Sequence, residues 1–363
     1  MAHLRRHPKT GKHQVRWRDP ATGKEHGRSF IRATDAKAFK RKIEAAIDQD
    51  TYIDARSAKT LFSVCAKEWF GHKLHLRAAS WTRDESYLRN HVLPAFGDLA
   101  LGHIRKSHIQ EWVQALSSQG LAPATVKECY RILNGILEEA VDQRLIVESP
   151  CKRISLPRVA HREQLYLEPK DVERLADHID PLFKPLIYSA VYLGCRWGEL
   201  VGLKRENLNL LKREVRIVGT LEEVQGQPRY VAETKTRASR RSLSMPPFLC
   251  EVLGEHLGEV RHEEFVFVGE QGGVLRRSNF RRRHWKPAVS AAGLPEGLRF
   301  HDLRHTCASI LISQGAHPKE IQARLGHSSI TTTMDRYGHL FPSLGAKLDA
   351  NLEEVFRQAR RTA

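Results

Sequence analysis

The sequence predicts a multidomain, mainly α-helical protein with small β-sheets: a small α+β unit, then a four-helix domain, then a mixed α/β domain that ends in a helix. Three features carry this expectation. Apolar residues recur at helical spacing from about residue 60 to about 147. Alternation of period two is confined to short stretches near residues 13–30 and 215–243. A length of 363 residues, 41% of them apolar and 28% charged, allows two or three separately buried cores of ordinary globular composition.

Residues 1–55 read as a compact basic unit. His13-Gln14-Val15-Arg16-Trp17-Arg18 alternates like a strand, Asp19 to Lys24 carries turn chemistry, and Glu25 to Phe30 returns as a second strand. Thr34 or Asp35 is expected to cap a helix with Ala38, Phe39, Ile43, Ala46 and Ile47 on its apolar face. The first fifty residues hold 13 Lys and Arg against 6 acids, a net of +7, which suits a sheet that enters a nucleic-acid groove through residues such as Arg16 and Arg18. The rival reading is a solvated basic surface.

Residues 56–148 read as helices throughout. Leu61, Val64, Cys65, Trp69 and Leu74 mark the first; Ser80 is expected to cap a second, with Tyr87, Leu88 and Val92, which Pro94 would end. Ser107 opens a third, with Ile109, Trp112, Val113 and Leu116, and Pro123 a fourth, with Val126, Tyr130, Leu133, Ile136, Leu137 and Val141. Lys127 and Arg131 are candidates for phosphate contact along one face, although a solvated helix surface accounts for either equally well. Residues 149–164, with two prolines and a basic bias, read as an interdomain linker able to track a polyanion.

From residue 165 the pattern becomes mixed. Glu168-Pro169 begins a helix, and Leu182 to Leu193 begins a long apolar one that delivers Arg196 just after Gly194. Val215 to Val218, Arg229 to Ala232 and Arg240 to Leu243 alternate as strands, which places Thr234-Lys235-Thr236-Arg237-Ala238 at a turn with Lys235 at its tip. Arg276, Arg277, Arg281, Arg282, Arg283 and Lys286 then cluster with Phe280 and Trp285. Phosphate contact by the cations, with both aromatics packed inward, is the expected arrangement.

A formal charge of +17, from 59 Lys and Arg against 42 acids, points to work on a polyanion, with nucleic acid first. No apolar run is long enough for a membrane span or a signal peptide, so a cytoplasmic location is expected. Six scattered cysteines with no C-x-x-C pair indicate reduced, buried thiols.

The densest chemistry lies between Leu298 and Leu340. His301 and Arg304 are three apart, so on a helix both reach one spot, while Leu303, Ala308, Leu311 and Ile312 form an apolar face. Gln314-Gly315 closes that helix, Pro318 opens another that runs to Gly326, and His327 follows at once. A third helix leads to Tyr337, whose neighbour Gly338 is expected to let the backbone turn and the hydroxyl stand clear. Upstream, Gly194-Cys195-Arg196-Trp197-Gly198-Glu199-Leu200 places Glu199 on the same face as Arg196.

His301-x-x-Arg304, Leu325-Gly326-His327-Ser328, Tyr337-Gly338-His339 and the segment around Arg196, in that order and spacing, resemble the tyrosine recombinase (phage integrase) family. Any one of these alone would be weak; the joint occurrence is not. The resemblance implies a site-specific DNA recombinase. In it Tyr337 attacks the scissile phosphate and keeps it as a 3′-phosphotyrosine, Arg196 and Arg304 stabilise the pentacoordinate state, and Lys235, chosen over Arg237, protonates the 5′ leaving oxygen. His301 would assist proton movement at the tyrosine, His327 would donate to a phosphate oxygen, and Glu199 would support Arg196 or a histidine. No cofactor is implied, because the phosphotyrosine retains the bond energy. The resemblance further implies an arm-type N-terminal domain, a core-binding (SAM-like) domain, a homotetramer on attachment-site DNA, and DNA-bending and directionality accessory proteins. The apolar stripe Leu344, Leu348, Leu352, Val355, Phe356 and Ala359 would dock on a neighbouring protomer.

Three rivals remain. A type IB topoisomerase would share the chemistry without strand exchange; a DNA-binding regulator would have the fold without the reaction; a metal-dependent nuclease would be sensitive to chelator. His301 and His305 have the i,i+4 spacing of a zinc pair, but no acid lies between them and the arginines would repel a cation, so no metal site is expected.

Overall fold

The computed structural model describes residues 2–8, 10–20, 23–49, 52–53, 57–73, 77–160, 163–232, 240–260, 262, 264–341 and 345–362. They fall into two compact units, 1–161 and 162–363.

The first unit opens with an antiparallel meander of β1 (His3–Arg6), β2 (His13–Arg18) and β3 (Glu25–Phe30), backed by α1 (Ala33–Asp48). β1 was not expected, since Leu4 is the single large apolar residue in HLRR; its register, Leu4 opposite Val15, supplies the missing burial. Val15 and Ala36 are fully buried, with Trp17 edge-on to Phe39 at 5.5 Å. The helix starts earlier than expected: Arg32 is the N-cap. Asp35 lies inside the first turn, where its carboxylate meets the positive end of the helix dipole instead of capping it.

Helices α2 (Phe62–Gly71), α3 (Ala78–Tyr87), α4 (Leu93–Phe96), α5 (Lys106–Ser118) and α6 (Pro123–Asp142) follow. Phe62, Val92, Phe96, Ile109, Ile132, Leu133, Ile136 and Leu137 form their common core. Two expectations are corrected. α3 is capped at Arg77, not at Ser80. Pro94 does not end the helix either: a π-helical turn, Leu88–Val92, widens the backbone just before it, and the chain stays helical to Phe96. Widening accommodates the ring and the missing N–H that would otherwise break the ladder. Leu74 lies outside the described residues. The basic stretch that follows is anchored over its first half: Tyr130 donates to the Cys151 carbonyl at 2.6 Å, Gln110 bonds both backbone groups of Ser155, and Ile154 and Leu156 pack on the helical core.

The second unit contains α7 (Pro169–His178), α8 (Lys184–Leu193), α9 (Trp197–Val201), β4 (Leu208–Asn209), β5 (Glu214–Ile217), β6 (Thr220–Val224), β7 (Gln227–Val231), β8 (Arg241–Ser244) and α10 (Pro247–Glu259). Then come α11 (Arg277–Phe280), α12 (Lys286–Ala291), α13 (Asp302–Ser313), α14 (Pro318–Leu325), α15 (Ile330–Tyr337) and α16 (Gly345–Thr362). The strands make two small antiparallel sheets, β4-β5-β8 and β6-β7. β6 escaped the sequence reading because Glu222-Glu223 breaks its alternation. A second π-helical turn, Arg281–Trp285, again stands just before a proline, Pro287. Phe280 and Trp285 are both buried, as expected, while Arg276, Arg277, Arg281, Arg282 and Arg283 are exposed.

α8 is buried over nearly its whole length and packs against α13. Its end is fixed by Gly194, at φ 65°, where an added Cβ would lie 2.7 Å from Leu325 Cδ2 and 3.0 Å from Cys307 Sγ. Positive φ and crowding act together here. Gly194→Ala is therefore expected to lower stability by about 2 kcal/mol or more and to shift Arg196 two residues on; a denaturant midpoint equal to wild type would contradict this.

Candidate active site

Arg196 stands at the N-cap of α9, held from both ends by Glu199. The Arg196 backbone N–H donates to Glu199 Oε2 at 2.9 Å, and its Nη1 to Oε1 at 2.7 Å. Nη2 donates to the Gly326 carbonyl at 3.3 Å, which ties the α8–α9 turn to the residue before His327. Glu199 is buried, and burial alone would raise its carboxyl; Arg241 and Arg196 overcome this and hold it at about 2. The Arg196 side chain remains 40% exposed and reaches the wall of a cleft of about 450 Å³, shared with Trp197, Arg276, Arg277 and His301.

Arg304 emerges one turn into α13 and is almost wholly buried. Its Nη1 donates to the Gly194 carbonyl at 2.7 Å, while Nη2, also buried, has no hydrogen-bond partner among the described residues. Burial, with Arg196 beside it, lowers its pKa to about 10. Arg196 and Arg241 thus share one carboxylate, Glu199, while Arg304, tied to the Gly194 carbonyl, has no acidic partner of its own among the described residues. The excess of buried positive charge suits an anion with several oxygens.

Tyr337 departs from expectation. Its hydroxyl does not stand clear: the residue is fully buried among Ala308, Ile312, Ile321 and Leu325. Gly338 is in the ordinary right-handed helical region, so the turn there makes no use of glycine's freedom. The hydroxyl pairs with His305 Nδ1 at 2.8 Å, and the ring stacks on His327 at 6.3 Å and 13°. Burial pushes the phenol up to about 12, against the pull of Arg304 and Arg336. His327 Nδ1 pairs with Thr333 Oγ1 at 2.9 Å. His301, at the N-cap of α13, lies edge-on to His305 at 5.0 Å.

Four separated segments therefore meet through a chain of contacts: Arg304 to Gly194, Arg196 to Gly326, His327 to Tyr337, and Tyr337 to His305. The sequence reading named Arg196, Glu199, His301, Arg304, His327 and Tyr337, and all lie in this network or its cleft. It missed His305 as the tyrosine's partner, seeing only a potential zinc pair with His301, and it missed Arg241. Lys235 lies outside the described residues, as does Arg237. Among the other candidates, Arg131 is held by Asp84 and Glu128, each at 2.8 Å, and Arg16 pairs with Glu25 at 3.3 Å. Arg18 and Lys127 are exposed. One group of metal-ligand type, Asp180, Glu270 and His284, comes together among the described residues, but it shares no member with this site and Arg276 and Arg283 line the same cleft.

The three histidines give a pH signature. Burial, with neighbouring cations, depresses His301 and His305 to about 4 and His327 to about 3. A histidine whose folded pKa lies below its unfolded value favours folding above the unfolded value, near 6.5, and loses that contribution as pH falls toward the folded pKa. Stability of this unit should thus drop between about pH 6.5 and 4, by up to about 1.4 kcal/mol per pH unit for each histidine. Thermal melting across that range checks this; an invariant midpoint would contradict it.

Comparison with known proteins follows the same lines. The profile of the phage integrase family matches residues 166–343, and that of the phage integrase N-terminal SAM-like domain matches residues 61–117. The putative prophage phiRv2 integrase of Mycobacterium tuberculosis is 28% identical over 365 residues, covering 94% of this chain and 93% of that protein. Among solved structures, the Tn1549 transposon integrase in complex with transposon right end DNA superposes with a TM-score of 0.70 at 19% identity, over 81% of this chain and 99% of that one. A lambda integrase tetramer bound to a Holliday junction gives 0.58 at 16% identity, over 90% and 96%. Family profiles on both units, relatives along nearly the whole length and a shared fold agree with the arginine–histidine–tyrosine network, and the chain belongs to the phage integrase family of tyrosine-type site-specific DNA recombinases.

Proposed function

We propose that this recombinase cuts and rejoins DNA through a 3′-phosphotyrosine at Tyr337, integrating a mobile element and, in the reverse direction, excising it. The observation that carries the reading is the convergence of Arg196, Arg304, His327 and Tyr337 on one site with excess positive charge. Arg196 and Arg304 receive the nonbridging oxygens through paired N–H donors, and His327 adds a donor to a phosphate oxygen. Tyr337 attacks in line and displaces the 5′ oxygen, which Lys235 protonates; His301 assists proton movement at the tyrosine. Attack by another strand's 5′-hydroxyl reverses the step and needs no nucleotide cofactor.

The buried tyrosine describes a resting state. Tyr337, the last residue of α15, is packed against Ala308 and Ile312 of α13 and Ile321 and Leu325 of α14, so engagement of a phosphodiester requires α15 to move. The substrate is double-stranded DNA, which the exposed Arg276, Arg277 and Arg281 to Arg283 suit, with Arg16, Arg18 and Lys127 as contacts on the first unit. Arg131, already neutralised by two carboxylates, contributes least. The two solved structures similar to this chain, a transposon integrase with transposon DNA and a lambda integrase tetramer on a Holliday junction, support DNA as partner and a homotetramer as the working assembly.

The tail fits that assembly. On α16, Leu352, Val355 and Phe356 are 65%, 64% and 55% exposed, an apolar stripe that a second copy would cover. Leu344 and the side chain of Leu348 lie outside the described residues. Removing residues 345–363 should leave single-site DNA binding intact and abolish the higher-order complex in a mobility shift; unchanged assembly would count against the stripe's role.

To test the reading as a whole, protein and DNA from the source cell and its mobile element are incubated with chelator, then denatured, resolved on a gel and sequenced. Covalent adducts at a few discrete sites support it. Discrete binding without adduct points to a regulator, and cleavage that needs added metal points to a nuclease.

A further inference from the structure

The active-site segments are joined not only through Arg196 and Arg304 but through an arginine that sequence reading took for an ordinary strand residue. Arg241 opens β8, and its side chain is 7% exposed. Its Nη2 donates to Glu199 Oε2 at 3.0 Å and lies 3.5 Å from Cys195 Sγ; its Nε donates to the Arg324 carbonyl at 2.8 Å. One guanidinium thereby spans β8, the Gly194–Arg196 turn and the end of α14, two residues before Gly326 and three before His327. Glu199 in turn grips Arg196 by its backbone N–H and its Nη1.

We infer that Arg241 is a positioning residue for the cleavage step: through Glu199 it sets the orientation of Arg196, and through the Arg324 carbonyl it sets the turn that presents His327. The inference rests on the reading of Tyr337 as nucleophile. Physical chemistry favours a positioning role over mere stabilisation. A buried arginine offers donors in a rigid plane, so three partners on three segments fix their mutual angles, which a lysine's single point charge cannot do. Two cations facing one carboxylate also mean that Glu199 is shared: losing Arg241 leaves its Oε2 to the Arg196 backbone alone and frees the carboxylate to rotate. A donor displaced by about 1 Å costs about 10²-fold in rate. Arg241 itself makes no contact with the substrate in this scheme. Its neighbour Arg240 is exposed and bonds the Ala232 carbonyl at 3.1 Å, which makes it a natural control.

The test uses the full chain on a trapping DNA substrate, with three readouts: the first-order rate of covalent adduct formation, the DNA dissociation constant and the melting temperature. Arg241→Lys, which keeps the charge, is expected to slow adduct formation by about 10²-fold while DNA affinity stays within about 3-fold of wild type. Arg240→Lys should leave all three near wild type. Because Arg241 acts through Glu199, the double variant Arg241→Lys with Glu199→Gln should be no slower than the worse single by more than about 3-fold. If Arg241→Lys melts early, the same comparison made well below its melting temperature, on protein that still binds DNA, keeps the test decisive. A rate within about 3-fold of wild type overturns the inference, as do fully multiplicative effects with Glu199→Gln, which would make the two residues independent. Wild-type protein that binds DNA but never forms an adduct overturns the reading of Tyr337 and this inference with it, an outcome distinct from either of the others.

Discussion

Tyr337→Phe is expected to abolish the covalent protein–DNA adduct, lowering its rate of formation by about 10⁴-fold or more, with DNA affinity and fold preserved. The reasoning starts from packing. The phenyl ring is fully buried against Ala308, Ile312, Ile321 and Leu325, and all of that contact survives in phenylalanine. What is lost is one oxygen and its bond to His305 Nδ1. An unpaired imidazole nitrogen costs about 1–3 kcal/mol, too little to unfold the unit. Chemistry loses far more, since no other hydroxyl in the described network is bonded to its histidines in place of a phenol except Thr333, which is committed to His327. Single-turnover trapping beside a mobility shift separates the two; adducts that persist in the variant would remove Tyr337 from the mechanism.

Arg304→Gln is the second large effect, and it should move activity and stability in opposite directions. Arg304 is a nearly inaccessible cation whose Nη2 lacks a hydrogen-bond partner among the described residues, beside Arg196 and Arg241. Its pKa of about 10, below the ordinary value, means that the folded state disfavours the charge. That disfavour offsets the charge-assisted bond to the Gly194 carbonyl, which contributes about 1.5–3 kcal/mol. A neutral side chain should therefore leave the unit as stable as wild type or more so. Adduct formation should fall by about 10²–10³-fold, as on loss of a preorganised donor. Melting and trapping on the same preparation check both; a variant that is destabilised and still fully active would invert the account. A buried cation kept at a cost in stability is the expected mark of a phosphate-binding site.

How much of this was legible in the sequence depends on how local the cause was. The end of α8 was readable because an apolar run, Gly194 and Arg196 stand in one short stretch, and the α14 boundaries because Pro318 and Gly326 mark them. β6 was not, since Glu222-Glu223 masks a strand whose pairing with β7 supplies the order. Pro94 misled because a proline normally stops a helix, and nothing in LRNHVLP announces that a π-helical turn will absorb it. Side-chain roles failed more often than elements. His305 and Tyr337 are 32 residues apart, Arg241 and Glu199 42 apart, and Arg131 and Asp84 47 apart, so each pairing is a product of tertiary packing that no local pattern encodes. The burial of Tyr337 is the clearest case: a motif indicates which atom reacts, and not whether that atom is exposed at rest.

The measurement that tests the central claim most directly is the chemical identity of the protein–DNA bond. Adducts formed in chelator would be digested with nuclease and protease, and the modified peptide sequenced by mass spectrometry. The account predicts one peptide, spanning Tyr337, carrying a nucleotide joined through its 3′-phosphate to the phenolic oxygen. A 5′ linkage, attachment to any other residue, or a bond that forms only when divalent metal is supplied would contradict it.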